Sequence, residues 1–276
     1  MIEALEIVSR ECFRSFGVLR NATLIDDAGA FGAITELPLT FFNGIGITRF
    51  SADDADRRIE ELIERFRARR TSFRWWVTPG ATPPNLGEIL EAHGVRFVYH
   101  SAGMTADVGR ASDVGRASAR PGGLKSAPHG LKSVPQVTRV RSDADMEVFA
   151  DILTTVFQRP KSDNAIWCDV YSQIGYDDPS PWAHFIAWDG DVPSATASVL
   201  LCGDVAGIYL VGTLASARGR GLGSAATLAA LQHGRARGAK VAALQSSELG
   251  ESVYRGLGFV SHGMLAMHEW RYNAAP

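Results

Sequence analysis

From about residue 142 to 157 apolar side chains recur at helical spacing, which predicts a helix, and the polar and aromatic stretch 158–181 that follows reads as irregular. The period then shortens. HFIAWDG, SATASVLLCG and AGIYLVGTL predict strands, followed by a helix over 221–237, the strand KVAALQS, a short helix through Glu251 to Gly256 and a partly alternating segment from Phe259 to Trp270. Upstream, AFGAITELP and NGIGITRF predict strands, SADDADRRIEELIERFRARR a helix, FRWWVTP a strand, NLGEILEAHG a helix and VRFVYHS a strand. Strands that meet helices in this order predict an α/β fold. The same order occurs in both halves: Ile59 to Arg70 aligns with the 221–237 helix, Trp75 to Thr78 with Val241 to Leu244, and Gly94-Val95 with Gly258-Phe259. An internal structural duplication accounts for this.

Between the halves the periodicity is lost. From about 104 to 137 the chain fills with Gly, Ser, Ala, Pro and single basic residues, DVGRAS is nearly duplicated from Asp107 to Ser118, and GLKSAP recurs as GLKSVP. Such repetition reads as a linker, so the expected division is a domain over 1–105, a low-complexity linker over 106–137 and a domain over 138–276.

Composition narrows the function classes. In 276 residues, 46% hydrophobic and 21% charged side chains can build real cores, and a formal net charge of -2 gives no global field for nucleic acid or an anionic membrane. The cysteines Cys12, Cys168 and Cys202 are widely spaced and form no C-x-x-C, which argues against a disulfide framework and against a metal site. MIEALEIVSRECF has acids where a signal peptide has bases, and no apolar run is long enough to span a bilayer, so a cytoplasmic location is expected.

The informative chemistry lies in Leu214-Ala-Ser-Ala-Arg218-Gly219-Arg220-Gly221-Leu222-Gly223-Ser224, between an apolar strand and a helix without early acids. The alternating glycines leave successive N–H groups unobstructed at the positive end of a helix, and two arginines stand beside them. That is a nest for a diphosphate, with charge-assisted hydrogen bonds from Arg218 and Arg220. A plain glycine turn needs fewer glycines. A dinucleotide fingerprint is formally satisfied by Gly221-x-Gly223-x-x-Ala226 with Glu248 beyond the next strand, but its glycines should follow their strand directly, and here Leu-Ala-Ser-Ala-Arg intervenes. An ATP-type phosphate loop requires a lysine that is missing here.

Arg218-x-x-Gly221-x-Gly223 resembles the [QR]-x-x-G-x-[GA] loop of the GCN5-related N-acetyltransferase family, and Ser-Val-Tyr254-Arg-Gly-Leu-Gly258-Phe259 resembles that family's second signature, N-x-x-A-x-x-x-Y-x-x-x-G-F. The resemblance covers roughly 140 to 276. It implies two acetyltransferase-like mixed-sheet halves flanked by helices, the C-terminal half catalytic, with acetyl-CoA as donor. It further implies that the Ile208 to Leu214 strand, through Val211, Gly212 and Thr213, pairs with the pantetheine arm, and that the amides of Gly219 to Ser224, Leu222 included, hold the diphosphate. Ser247 stands where the family has Asn, and is expected to touch the cofactor arm; Gly250 stands where it has Ala. The backbone N–H groups of the Val211–Thr213 strand would polarise the thioester carbonyl.

Tyr254 falls on the position of the general acid that protonates the departing thiolate; read alone it would be a core aromatic with its hydroxyl at the surface. No carboxylate lies on Gly207 to Thr213, which leaves Glu248 as a candidate base through water and His184 as a second, while His233 reads as a surface residue. The acceptor is expected to be the amine of a small molecule that attacks directly, bounded by Trp167, Tyr171, Trp182, Asp177 and Asp178, although these also suit an ordinary core and a turn before Pro179. In the first half Asp53, Asp54 and Asp56 stand where phosphates would lie and Leu90 where Tyr254 stands, so that half should not bind CoA and is expected to shape the acceptor pocket instead. No nucleic acid, membrane or metal is expected, and the oligomeric state, a homodimer included, is open. A non-catalytic CoA-binding sensor or interaction protein, or a transferase using another acyl-CoA, remains an alternative.

Overall fold

The computed structural model describes residues 2–111 and 135–273. It resolves into two compact units, Met1–Gly103 with His262–Pro276, and Met104–Ser261.

The first unit starts with α1 (Ile2–Phe16), whose Leu5, Val8, Cys12, Phe13 and Phe16 are buried at helical spacing. β1 (Thr23–Asp27), β2 (Ala30–Ile34) and β3 (Gly44–Thr48) follow as an antiparallel meander. α2 (Ala55–Ala68) buries Ile59, Leu62, Ile63 and Phe66 and leads to β4 (Phe73–Val77), which pairs in parallel with β3. α3 (Leu86–Ala92) then precedes β5 (Arg96–Asp107). Phe66 stacks on Phe73 at 4.1 Å, and Leu86, Leu90 and Val95 close the same core.

One strand of this unit comes from the far end of the sequence. β11 (Val260–Trp270) pairs antiparallel with β4, Met267 opposite Trp76 and Trp270 opposite Phe73, and the Trp270 ring stacks on Phe73 at 5.5 Å. Residues from His262 onward, expected with the second half, therefore belong to the first unit. Hydrophobic alternation specifies that a strand exists but not which neighbour it takes. The expected linker also begins too early, since β5 continues to Asp107, and it ends too late, since the next strand starts at Gln136; its core, 112–134, lies outside the described residues.

The second unit contains β6 (Gln136–Arg139), α4 (Asp143–Val156), α5 (Asp163–Ile174), β7 (Trp182–Asp189), β8 (Val192–Cys202), β9 (Val205–Thr213), α6 (Leu222–Ala236), β10 (Val241–Ser246) and α7 (Glu248–Gly256). β6 to β9 pair antiparallel in sequence order and β10 joins β9 in parallel. Ser142 caps α4, its hydroxyl accepting from the Asp145 N–H at 3.2 Å. α5 corrects the irregular reading of 158–181. Its buried Trp167, Val170 and Tyr171 keep helical spacing, but polar neighbours on every side mask the stripe. Among the described residues no helix is long and apolar enough to cross a membrane.

Candidate active site

β9 carries the opening in the second unit. Its pairing with β10 covers only Val205, Ala206 and Gly207, whereas on its other edge β9 stays with β8 as far as Thr213 opposite Ala195. The β8 register slips between Thr196 and Ser198, and Leu210 absorbs the extra residue at a left-handed φ of 52. Such a conformation is unfavourable for a branched side chain, and the Thr196 hydroxyl braces it by donating to the Leu210 carbonyl at 2.9 Å. Past the bulge, the Leu214 N–H donates to the Ser194 carbonyl at 2.9 Å. Backbone groups alternate edges along an extended strand, so the N–H groups of Thr213 and Val211 turn to the edge that β10 has left. Gly212 faces the other way and lies beneath α4, where a Cβ would stand 3.1 Å from Val156 Cγ1.

From β9 the chain makes a short 3-10 turn (Ala215–Ala217) and enters the glycine loop. Gly219 and Gly221 both have φ 73, and Gly221 is the N-cap of α6, without a side-chain cap and without an acid in the first helical turn. The N–H groups from Gly219 to Ser224 have no acceptor among the described residues. A Cβ on Gly219 would meet nothing within 4 Å, whereas one on Gly223 would stand 2.7 Å from the Thr213 hydroxyl oxygen. Leu222 is buried and anchors the helix, leaving its amide for the loop. Uncompensated donors, open space and a positive helix end fit a diphosphate. Arg218 is exposed, and its Nε donates to the Thr213 carbonyl at 3.4 Å. Arg220 is engaged elsewhere: both outer nitrogens donate to the Asp189 carboxylate.

Because β9 and β10 are parallel, Thr213 and Ser246 end on the same side of the sheet, and α7 starts there. Ser247 is its exposed N-cap and makes no side-chain cap, and Glu248 is exposed at its first position. Tyr254 is the buried residue of α7, 8% exposed, with its ring edge-on to Phe259 at 5.8 Å. Burial pushes its phenol up to about 12, and no protein group hydrogen-bonds its hydroxyl among the described residues. Its ring rests against Gly250, where a Cβ would stand 3.0 Å from Tyr254 Cε2 and 3.2 Å from Ser246 Oγ. The glycine that departs from the signature thus makes room for the signature's tyrosine.

The aromatic residues expected around the acceptor are core. Trp167, Tyr171 and Trp182 are buried, and Tyr171 and Trp182 close on His184 with ring centroids at 4.1 and 5.9 Å. His184 is buried with Nδ1 2.7 Å from Ser198 Oγ, and desolvation holds its pKa down to about 3, so it is neutral and sealed from solvent, which removes it as a base. Asp177 pairs with Arg141 at 2.8 Å and Asp178 with Arg237, fixing the turn before Pro179. His233, read as a surface residue, is half-buried against Phe185 at 5.9 Å. The bulge at Leu210 had no glycine or asparagine to announce it.

Residues 146–259 match the family model described as the acetyltransferase (GNAT) family. No curated protein matches the chain. Among solved structures, a GCN5-related N-acetyltransferase from Kribbella flavida is similar with TM-score 0.69 at 18% identity, over 96% of this chain and 95% of that one. One from Sphaerobacter thermophilus gives 0.58 at 16%, over 100% and 95%, and a tandem GNAT protein from the clavulanic acid biosynthesis pathway gives 0.54 at 13%, over 94% and 86%. At these identities the structures speak for the fold, and the family match speaks for the second half. Residues 146–259 thus form a domain of the acetyltransferase (GNAT) family, acyltransferases whose donor is acetyl-CoA.

Proposed function

We propose that the second half transfers an acetyl group from acetyl-CoA to the amine of a small molecule by direct attack, in the cytoplasm. The observation that carries this reading is that β10 leaves the β9 edge after Gly207, with the N–H groups of Val211 and Thr213 turned to that edge and, one 3-10 turn later, a loop of unclaimed amides. Acetyl-CoA supplies the thioester. The outward N–H groups of Val211 and Thr213 bind the donor's amide-bearing arm in the manner of an added strand and present a donor to its carbonyl, while the loop amides and Arg218 hold the diphosphate. Ser247, at the end of β10, is proposed to touch the same arm. Tyr254 holds a proton on a phenol without a protein partner and gives it to the sulfur as the acyl group leaves. An open groove of about 880 Å³ between α4 and α5 reaches Leu214; Asp151 on its wall is already paired with Lys161, which leaves Glu147 as the carboxylate suited to a protonated amine. Glu248, exposed at the start of α7, is the carboxylate proposed to accept the amine's proton through water.

Thiol release from acetyl-CoA by the full chain, with a panel of small amines, tests this. Release that saturates with at least one amine is the expected result. Tight CoA binding with no amine raising release above the acceptor-free rate would overturn it in favour of a CoA-binding sensor, a reading favoured by the lack of any carboxylate on Ile208 to Thr213.

A further inference from the structure

The two arginines of the glycine loop stand in different situations. Arg218 is exposed, and beyond the Nε contact to Thr213 its side chain makes no hydrogen bond among the described residues. Arg220 lies between Gly219 and Gly221, both left-handed, and its guanidinium grips Asp189 fork to fork, one outer nitrogen on each carboxylate oxygen. Asp189 is the last residue of β7, a strand locked to β8 through Asp189 opposite Val192, and the pair is part-buried, with the side chains 36% and 30% exposed.

A residue flanked by two glycines sits on the least constrained backbone a chain can offer, and a planar bidentate pair fixes direction as well as position. An arginine that has given both outer nitrogens to a carboxylate has little left to give a phosphate, and its charge is already met. We infer that Asp189 is a positioning residue for the donor loop. It holds Arg220, and through it the turn from Gly219 to Gly221, in the shape that aims the 219–224 amides at one point, and it leaves the phosphate charge to Arg218. The strap ties the loop to the rigid β7–β8 pair and lowers the ordering cost of binding. This rests on the loop being the diphosphate site.

The test uses the full chain, calorimetric titration with CoA, and KM for acetyl-CoA beside KM for S-acetylpantetheine, which lacks the diphosphate. Asp189→Asn, Arg220→Gln and the double variant should each weaken CoA about tenfold, the double no further than either single, because residues acting through one contact are not additive. The loss with acetyl-CoA should exceed the loss with S-acetylpantetheine by a similar factor, a split that general destabilisation would not produce, and Asp189→Glu should recover part of it. Arg218→Gln should weaken CoA independently, its loss multiplying with that of Asp189→Asn. If Arg220→Gln weakens CoA while Asp189→Asn leaves it at or above wild-type affinity, Arg220 is itself the phosphate ligand and the inference fails. Losses that multiply between Asp189→Asn and Arg220→Gln overturn it as well. Failure of the wild-type chain to bind CoA would instead bring down the reading of the loop.

Discussion

The chain contains the same strand–helix junction twice, and only one copy is open. In the first unit β3 and β4 are parallel for Gly44 opposite Arg74 and Ile45 opposite Trp75 and then part, much as β9 and β10 part after Gly207. There the gap is filled by the chain itself. The Thr82 N–H donates to the Thr48 carbonyl at 3.2 Å, the Phe50 N–H to the Thr82 carbonyl at 3.1 Å, and the Trp75 indole to the Thr48 hydroxyl at 2.9 Å. The helix that follows repeats the contrast: α2 has Asp54 at its N-cap and Asp56 in its first turn, with Asp54 tied to Arg57, whereas α6 has Gly221 and no acid. Farther on, Val95 N–H donates to the Leu90 carbonyl and Phe259 N–H to the Tyr254 carbonyl, each after a left-handed glycine, so Leu90 and Tyr254 occupy equivalent places. A shared scaffold is thus compatible with opposite fates for the cleft, set by which groups satisfy the strand edge and the helix end.

Substitutions that move the second copy toward the first test that lesson. The largest expected effect follows Tyr254→Phe, which removes the hydroxyl that Leu90 lacks. Turnover should fall about 10²- to 10⁴-fold with KM for acetyl-CoA little changed, and steady-state kinetics showing full turnover would take the phenol out of the reaction. Ser224→Asp brings a carboxylate to the first turn of α6. Repulsion of the diphosphate should weaken CoA about tenfold by calorimetry, while the favourable helix-end charge holds or raises the melting temperature; unaltered affinity would place the phosphates elsewhere. Gly250→Ala presses on Tyr254 Cε2 and should lower kcat about three- to tenfold, an effect lost in the Tyr254→Phe background if it acts through that ring. Smallest of all is a flat line. Burial raises the phenol's pKa to about 12, so it keeps its proton through the ordinary alkaline range, and the ratio of wild-type to Tyr254→Phe turnover should be constant from pH 7 to about 10. A ratio that drifts within that window would mean a phenol nearer its ordinary value.

Much of the junction was legible in the residues. Alternating glycines announce a loop of left-handed turns with open amides, and the spacing from the loop to Tyr254 carries over to the structure because strand, helix and cap lengths are fixed by local signals: the left-handed Gly258 follows α7, which ends at Gly256 as the sequence predicts. Tertiary choices were hidden. Leu210 adopts a conformation that no local propensity favours because the β8 register demands it. Trp167, Tyr171 and Trp182 looked like a binding surface, since an aromatic residue is equally at home in a core and a pocket, and packing alone decides. Arg220 carried its charge openly in the sequence, but its partner Asp189 lies on another strand.

The pairing of β11 with β4 has a consequence for how the molecule is made. Trp76 must wait for Met267, a partner that follows the whole second unit in sequence, so the first unit emerging from a ribosome lacks an inner strand and leaves the β4 edge unsatisfied until synthesis has passed both halves. Contacts of such long sequence separation form late and slowly, and an uncovered strand edge is a site for wrong pairing in the interval. Cutting the gene between its repeats would therefore divide a structural unit rather than separate two.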